Sequence, residues 1–63
     1  MDLEDRHLLD FARKWAPYGG PSADEIFVNF GMSNDRYWQR LREALETNRI
    51  EGSEAAVLWR QLR

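Results

Sequence analysis

The sequence predicts an all-α protein, a small bundle of three to four helices that forms one domain over residues 1–63. Apolar residues recur at helical spacing in each segment between breaks, which is typical of amphipathic helices. A residue that caps helices precedes the second, third and fourth of these segments. The length sets a limit, because 63 residues can bury one core and leave no room for a separate catalytic domain.

The first helix is predicted over residues 2–15. Its apolar residues recur near helical spacing: Leu3, Leu8, Phe11, Ala12 and Trp15. Acids lie early in this segment and the cations Arg13 and Lys14 lie late, which suits the helix dipole. Pro17 and the loop of residues 18–21, Tyr-Gly-Gly-Pro, then end the helix.

The second helix is predicted to begin after Ser22, which forms a capping box with Glu25. The serine hydroxyl can accept a hydrogen bond from the amide of Glu25, and the Glu25 carboxylate can reach back to the amide of Ser22. The predicted apolar face of this helix consists of Ile26, Phe27 and Phe30. Gly31 follows at the position where a left-handed residue usually ends a helix, so the helix has about two turns.

The third helix is predicted to begin after the cap Ser33 and to end near Thr47, with Met32 as a buried spacer before it. Its inward positions are Tyr37, Leu41, Ala44 and Leu45. Asn48 is expected to end the helix in the left-handed conformation.

The last helix is predicted to be capped by Ser53, after a turn at residues 51–52. Its apolar residues are Ala56, Val57, Leu58, Trp59 and Leu62. Three of them could form the seam of a homodimer: Val57, Trp59 and Leu62. A domain that only self-associates is therefore one possible function.

Stability must come from packing or from a partner chain, because a domain this small has little apolar surface to bury. The chain has no cysteine, and a single histidine, His7, cannot form a structural zinc site, so we expect no metal and no cofactor. The expected core material is aromatic: Phe11, Trp15, Tyr18, Phe27, Phe30, Tyr37, Trp38 and Trp59. A homodimer is the alternative route to stability.

Charge and hydropathy limit the class of protein. No apolar run approaches the ~18 residues of a membrane span, and the N-terminus is acidic where a secretion signal would be basic. We therefore expect a cytoplasmic protein that makes no membrane contact. The net charge of −2 counts against nucleic-acid binding through bulk positive charge, although the arginines are concentrated in residues 33–63.

A catalytic site is not expected, so the chain is predicted not to be an enzyme. His7 has Glu4 and Asp10 three residues away on either side, and both carboxylates could share its face of the helix. A lone histidine among exposed charges is more typical of a solvated surface than of a base or a metal ligand. The serines at the helix starts are explained as caps, and residues 19–21 lack the strand and lysine of a phosphate-binding loop.

Residues 30–33, Phe-Gly-Met-Ser, join two short helices with the length of a helix-turn-helix, at about residues 22–46. In that motif the outer N-terminal positions of the second helix enter the major groove of double-stranded DNA. The side chains predicted to contact DNA are Ser33, Asn34, Arg36, Gln39, Arg40 and Arg42. Arginine suits guanine, and asparagine or glutamine suits adenine. The first hypothesis is therefore a small DNA-binding transcriptional regulator that acts as a homodimer.

Two positions depart from the usual helix-turn-helix pattern. Phe27 occupies the position four before the turn glycine, where a small residue is usual. Arg40 lies where an apolar residue is common, and Leu41 takes that role one position later. Gly31 could then be only a C-cap, with an ordinary amphipathic helix after it.

The second hypothesis is a module that binds the transcription machinery or another host protein through an aromatic and arginine patch. Tryptophan and arginine are enriched at the energetic centres of protein interfaces, and the proposed interface residues are Trp38 and Trp59. The charges of the third helix separate the two hypotheses. A continuous positive stripe of Arg36, Arg40 and Arg42 favours DNA binding, whereas pairing of these arginines with Asp35 and Glu43 counts against it.

The sequence also resembles a family of short actinobacterial proteins of unknown function. The resemblance covers about residues 8–45 and depends on these matches: residues 8–11, Leu-Leu-Asp-Phe; Trp15; residues 30–33, Phe-Gly-Met-Ser; and residues 36–41, Arg-Tyr-Trp-Gln-Arg-Leu. It implies a helix-turn-helix fold and an actinobacterium or one of its phages as the source, and it implies no particular activity. Trp38 stands where that family usually has a second tyrosine.

Overall fold

A computed structural model describes residues 2–62 and contains four α-helices. They are α1 (Leu3–Trp15), α2 (Ala23–Phe30), α3 (Asn34–Thr47) and α4 (Gly52–Arg60). A single 3₁₀ turn, Ala16–Tyr18, continues from α1 and contains Pro17. Over residues 2–62 there is no strand, so the all-α prediction is confirmed.

The core lies where α1 packs against α3, with α2 and α4 each closing one part of it. Its side chains are almost completely buried: Leu8, Leu9, Ala12, Ile26, Tyr37, Leu41, Ala44, Leu45 and Leu58. The four inward positions predicted for the third helix are all among them. Aromatic rings pack around Tyr37, with the ring centroid of Phe11 at 5.8 Å and that of Phe30 at 5.6 Å.

Side-chain caps start the first three helices. The Asp2 carboxylate accepts from the amide of Asp5 at 2.8 Å, and the hydroxyls of Ser22 and Ser33 accept from the amides three residues later at 3.3 and 3.2 Å. The predicted caps at Ser22 and Ser33 are therefore confirmed. The second half of the capping box is replaced, because the Glu25 carboxylate accepts from Asn29 Nδ2 at 3.4 Å.

The predicted ends of the helices are partly wrong. Gly31 ends α2 in the left-handed region with φ +69°, as expected. Asn48 does not adopt that conformation: its φ is −94°, and its side-chain amide donates to Ala44 O at 2.8 Å and to Asp5 Oδ2 at 3.0 Å. The left-handed residue is Arg49, with φ +50°.

The start of the last helix also differs from the prediction. The helix begins at Gly52, one residue before the predicted cap Ser53, and Glu51 occupies the N-cap position without a side-chain hydrogen bond. Extended backbone at Glu51 and a left-handed Gly52 turn the chain there, so Ser53 is already inside the first turn.

The prediction that all eight aromatic residues form the core is wrong for three of them. Phe11 and Tyr37 are buried, and three more are half-buried against the core: Trp15, Phe30 and Trp38. The exposed aromatic residues are Tyr18, Phe27 and Trp59. Leu3, predicted on the apolar side of the first helix, is exposed, and Met32 is only half-buried.

Candidate functional site

Arg40, one of the residues predicted to contact DNA, is bound to carboxylates of its own chain. Its guanidinium donates to Glu43 Oε1 at 2.6 Å, to Glu4 Oε1 at 3.2 Å and to Asp5 Oδ1 at 3.4 Å. The hydrogen bond with Glu43 raises the pKa of Arg40 above its ordinary value, and partial burial opposes this effect. Arg40 therefore joins α1 to α3 and does not project from α3 as a free cation.

Ser33 and Asn34 also use their polar atoms within the chain. The Ser33 hydroxyl caps α3, and Asn34 Oδ1 accepts from the indole nitrogen of Trp38 at 3.0 Å. The Trp38 ring lies against Tyr37, with ring centroids 4.9 Å apart. These contacts fix the side chains at the start of α3 before any partner is bound.

The remaining predicted DNA contacts are exposed on α3: Arg36, Gln39 and Arg42. Gln39 lies on one ridge of the helix with Asp35 and Glu43, because the three residues are spaced four apart. Two carboxylates thus flank Gln39, one turn away on each side. Together with the ion pair between Arg40 and Glu43, they interrupt the positive stripe that a DNA-reading helix would need.

A groove of about 760 Å³ lies beside Trp38, between the loop after α1 and the end of α4. Its lining includes Gly19, Pro21, Trp38, Gln39, Arg42 and Arg60. Gly20 approaches the indole closely, because a Cβ built on Gly20 would lie 3.2 Å from the Trp38 ring. Trp59 does not line this groove, so the structure does not bring the two predicted interface tryptophans together there.

The outer face of α2 carries an exposed apolar pair that was not predicted from the sequence. Phe27 is 66% exposed and Val28 is 79% exposed, whereas Ile26 is fully buried. Asp24 is exposed one turn before them. We call these three residues, Asp24, Phe27 and Val28, the α2 face.

The helical spacing of α2 contained the signal for this face. Ile26 and Phe30 are four residues apart and therefore point to the same side of a helix. Phe27 and Val28 are turned by about 100° and 200° from Ile26, so they leave the core side. The prediction that Phe27 belongs to the buried face was wrong for this reason.

A second exposed apolar face lies on α4. Val57, Trp59 and Arg60 are exposed. Val57 and Arg60 are three residues apart and share one side of α4, whereas Trp59 is turned by about 200° from Val57. We therefore call Val57 and Arg60 the α4 face. The acid of this helix, Glu54, is paired with Arg13 of α1. Leu62, predicted to share a dimer seam with Val57 and Trp59, is instead half-buried against the core.

The side chains around His7 are engaged in other contacts. The His7 ring packs on Phe30, with centroids 4.4 Å apart. Glu4 is bound to Arg40, and Asp10 pairs with Arg13. Within the described residues, no group of three or more histidine or acidic side chains could hold a metal ion.

The main candidate binding surfaces of this small all-helical domain are thus two separate exposed faces, one on α2 and one on α4. Residues 1–63 match the model of the family DUF3263, which is described as a protein of unknown function, and the chain belongs to this family. No curated protein and no solved structure matches the chain. Among the described residues, none of the helices has the length and apolar character needed to cross a membrane.

Proposed function

We propose that this domain is a protein-interaction module that docks through the α2 face. The observation that carries the proposal is the side-by-side exposure of Phe27 and Val28 on one short helix. Contiguous exposed apolar side chains mark interaction sites, whereas scattered ones are ordinary. Fully covering a phenylalanine or a valine contributes about 1.5–3 kcal/mol for each side chain, which offsets part of the entropy cost of association.

The charges of α2 indicate the chemistry of the partner. Asp24 and Glu25 are the charged residues of this helix, and it has no cation. A short helix that presents apolar side chains beside carboxylates suits a surface with an apolar socket and a cation at its edge. We therefore infer a partner surface with that composition.

The charges of α3 also favour a protein partner over DNA. Arg40 is neutralised by carboxylates of α1 and α3, and Gln39 has a carboxylate one turn away on each side. DNA phosphates would meet those carboxylates, and affinity for DNA depends largely on cations placed against phosphates. The overall charge of −2 acts in the same direction.

Photo-crosslinking tests the proposal. A photoreactive amino acid placed at position 28 should crosslink a protein in cells, and the product should survive nuclease treatment of the lysate. Phe27→Gln should remove that product. The matched control places the same group at Tyr18, which is 75% exposed but lies outside α2. The proposal fails if position 28 gives no product beyond that of position 18, or if Phe27→Gln leaves the product unchanged.

DNA binding is the second candidate, and the layout of α2 and α3 favours it. An eight-residue helix and a 14-residue helix are joined by residues 31–33, and so short a connection is compatible with a helix-turn-helix. Arg36 and Gln39 are exposed near the start of the second of these helices. On this hypothesis the chain is a transcriptional regulator, and a dimer would read two half-sites.

A gel-shift series separates this candidate from the first. DNA binding requires that Arg36→Ala and Gln39→Ala abolish a shift that Phe27→Gln retains, and that affinity falls steeply with salt. The absence of any duplex preference at low salt and high protein concentration would remove the candidate. For both candidates we propose a cytoplasmic setting, and the resemblance to short actinobacterial proteins supports a bacterial one.

A further inference from the structure

The two exposed apolar faces of this chain have opposite charge. The α2 face combines Phe27 and Val28 with the carboxylate of Asp24, and α2 contains no cation. The α4 face combines Val57 with the guanidinium of Arg60, three residues away on the same side of the helix. Because Glu54 is paired with Arg13, the acid of α4 is already neutralised by its own chain. The chain thus carries both an acidic apolar face and a basic apolar face.

The spacing of the residues on the two faces is also complementary. Val28 lies four residues after Asp24 on α2, and Val57 lies three residues before Arg60 on α4. Each interval is about one helical turn, or about 5.4 Å along the axis. If the two helices run antiparallel, Asp24 can lie opposite Arg60 while Val28 lies opposite Val57, one helical turn further along the contact.

The helix dipoles favour the same arrangement. Asp24 lies in the first turn of α2 and Arg60 in the last turn of α4. An antiparallel contact places the positive end of one dipole beside the negative end of the other, and each charged side chain already suits its own helix end. Charge, spacing and dipole therefore agree on one pairing.

We propose that the α2 face is covered by the α4 face of a second copy of this chain, with the two helices antiparallel. This inference rests on the proposed function and names the partner of the same site. The contact joins two different surfaces, so it is heterologous, and each added copy leaves one α2 face and one α4 face open. The chain therefore assembles head to tail and grows with concentration.

The size of the two helices limits the strength of this contact. Helices of eight and nine residues are about 12–14 Å long, so the contact buries less than the roughly 800 Å² on each partner of a standard interface. We therefore expect a dissociation constant of about 0.1–1 mM. Sedimentation velocity should give a weight-average mass that rises above the monomer value of 7.5 kDa as the concentration approaches about 1 mM.

A pair of complementary variants tests the heterologous contact. Val28→Glu blocks the α2 face, and Val57→Glu blocks the α4 face, each by placing a carboxylate in an apolar contact. Both positions are exposed in α-helices, so both variants should keep the helical circular dichroism of the parent chain. Each variant alone should remain a monomer. Their equimolar mixture should form a dimer of twice the monomer mass and no larger species, because one intact face remains on each copy.

Charge reversal tests the register. Asp24→Arg places two cations opposite each other and Arg60→Glu places two carboxylates opposite each other, so each change should abolish self-association. The double variant should restore it, because the ion pair is rebuilt with reversed polarity. Restoration supports the antiparallel register, and failure of the double variant to self-associate overturns it.

Three outcomes overturn the inference as a whole. The first is a monomeric parent chain at 1 mM, and the second is a monomeric mixture of the two complementary variants. The third is self-association that survives Val28→Glu, because it would show a contact that does not use α2. If the parent chain is monomeric but position 28 still crosslinks a different protein, the second-copy inference fails and the proposed function stands.

Discussion

The guanidinium of Arg40 lies 3.4 Å from the carboxylate of Asp5, a residue 35 positions away in the sequence that is only 7% exposed. Asp5 also accepts a hydrogen bond from Asn48 Nδ2 at 3.0 Å. One buried carboxylate on α1 thus holds the middle of α3 and the residue that ends it. This contact gives Arg40 a structural role at the position where an apolar residue was expected.

Arg40→Ala should destabilise the fold, because it leaves the buried carboxylate of Asp5 without its cation. We expect a loss of about 1–3 kcal/mol in the free energy of unfolding, measured by urea denaturation. Arg36→Ala is the matched control. Arg36 is exposed on the same helix and makes no ion pair within residues 2–62, so its loss should change stability by less than about 0.5 kcal/mol. Equal effects would contradict the structural role of Arg40.

Tyr37→Phe should stabilise the protein. The Tyr37 hydroxyl is buried, and no hydrogen-bond partner satisfies it among the described residues. Removing an unsatisfied buried hydroxyl recovers its desolvation cost, so we expect a gain of about 1 kcal/mol, seen as a higher melting temperature. Tyr18→Phe, at an exposed ring, should change little. A loss of stability in Tyr37→Phe would show that the hydroxyl has a partner.

The burial of Tyr37 should also make the stability of the fold depend on pH in the alkaline range. Burial raises the pKa of Tyr37 well above its ordinary value, so the folded chain retains the phenol proton more strongly than the unfolded chain does. The stabilisation is complete below the ordinary pKa of about 10 and is lost as the pH rises above it.

The chain has two tyrosines, so Tyr37 is the single phenol of the Tyr18→Phe variant. In that variant, the phenolate absorbance should appear at the same pH at which the helical circular dichroism is lost. Phenolate absorbance that appears near pH 10 while the helices persist would contradict the burial of Tyr37.

Arg49→Gly should stabilise the turn after α3. Arg49 has φ +50°, a left-handed conformation that costs a residue with a Cβ about 1–2 kcal/mol and costs glycine much less. The expected gain is about 0.5–1 kcal/mol in the free energy of unfolding. Arg36→Gly is the control, because glycine inside α3 should cost about 1 kcal/mol. A destabilised Arg49→Gly variant would contradict the strained turn.

Local features of the fold could be predicted from the sequence. Ser22 and Ser33 act on amides three residues away, and Gly31 follows an established preference at helix ends, so a short window contains all the information needed. The prediction of Asn48 as the left-handed residue failed for a physical reason. Its side-chain amide donates to Asp5 and to Ala44 O, and its φ is −94° rather than positive.

The candidate site was harder to predict, because it depends on which charges are already paired. The arginines of α3 are alike in the sequence, yet the structure pairs Arg40 with Glu4 and Asp5 of α1. Phe27 was assigned to the core for its residue type, although its spacing from Ile26 places it outside. Helical spacing could have corrected the assignment of Phe27. The pairing of Arg40, by contrast, depends on how α1 packs on α3.

We propose that this domain docks a protein through α2 rather than reading DNA through α3. The most direct measurement compares Phe27→Gln and Arg36→Ala in the crosslink formed from position 28, with both variants checked for helical content. We expect that Phe27→Gln removes the crosslinked protein and that Arg36→Ala retains it. A crosslink that survives Phe27→Gln, or that is lost in Arg36→Ala and after nuclease treatment, would contradict it.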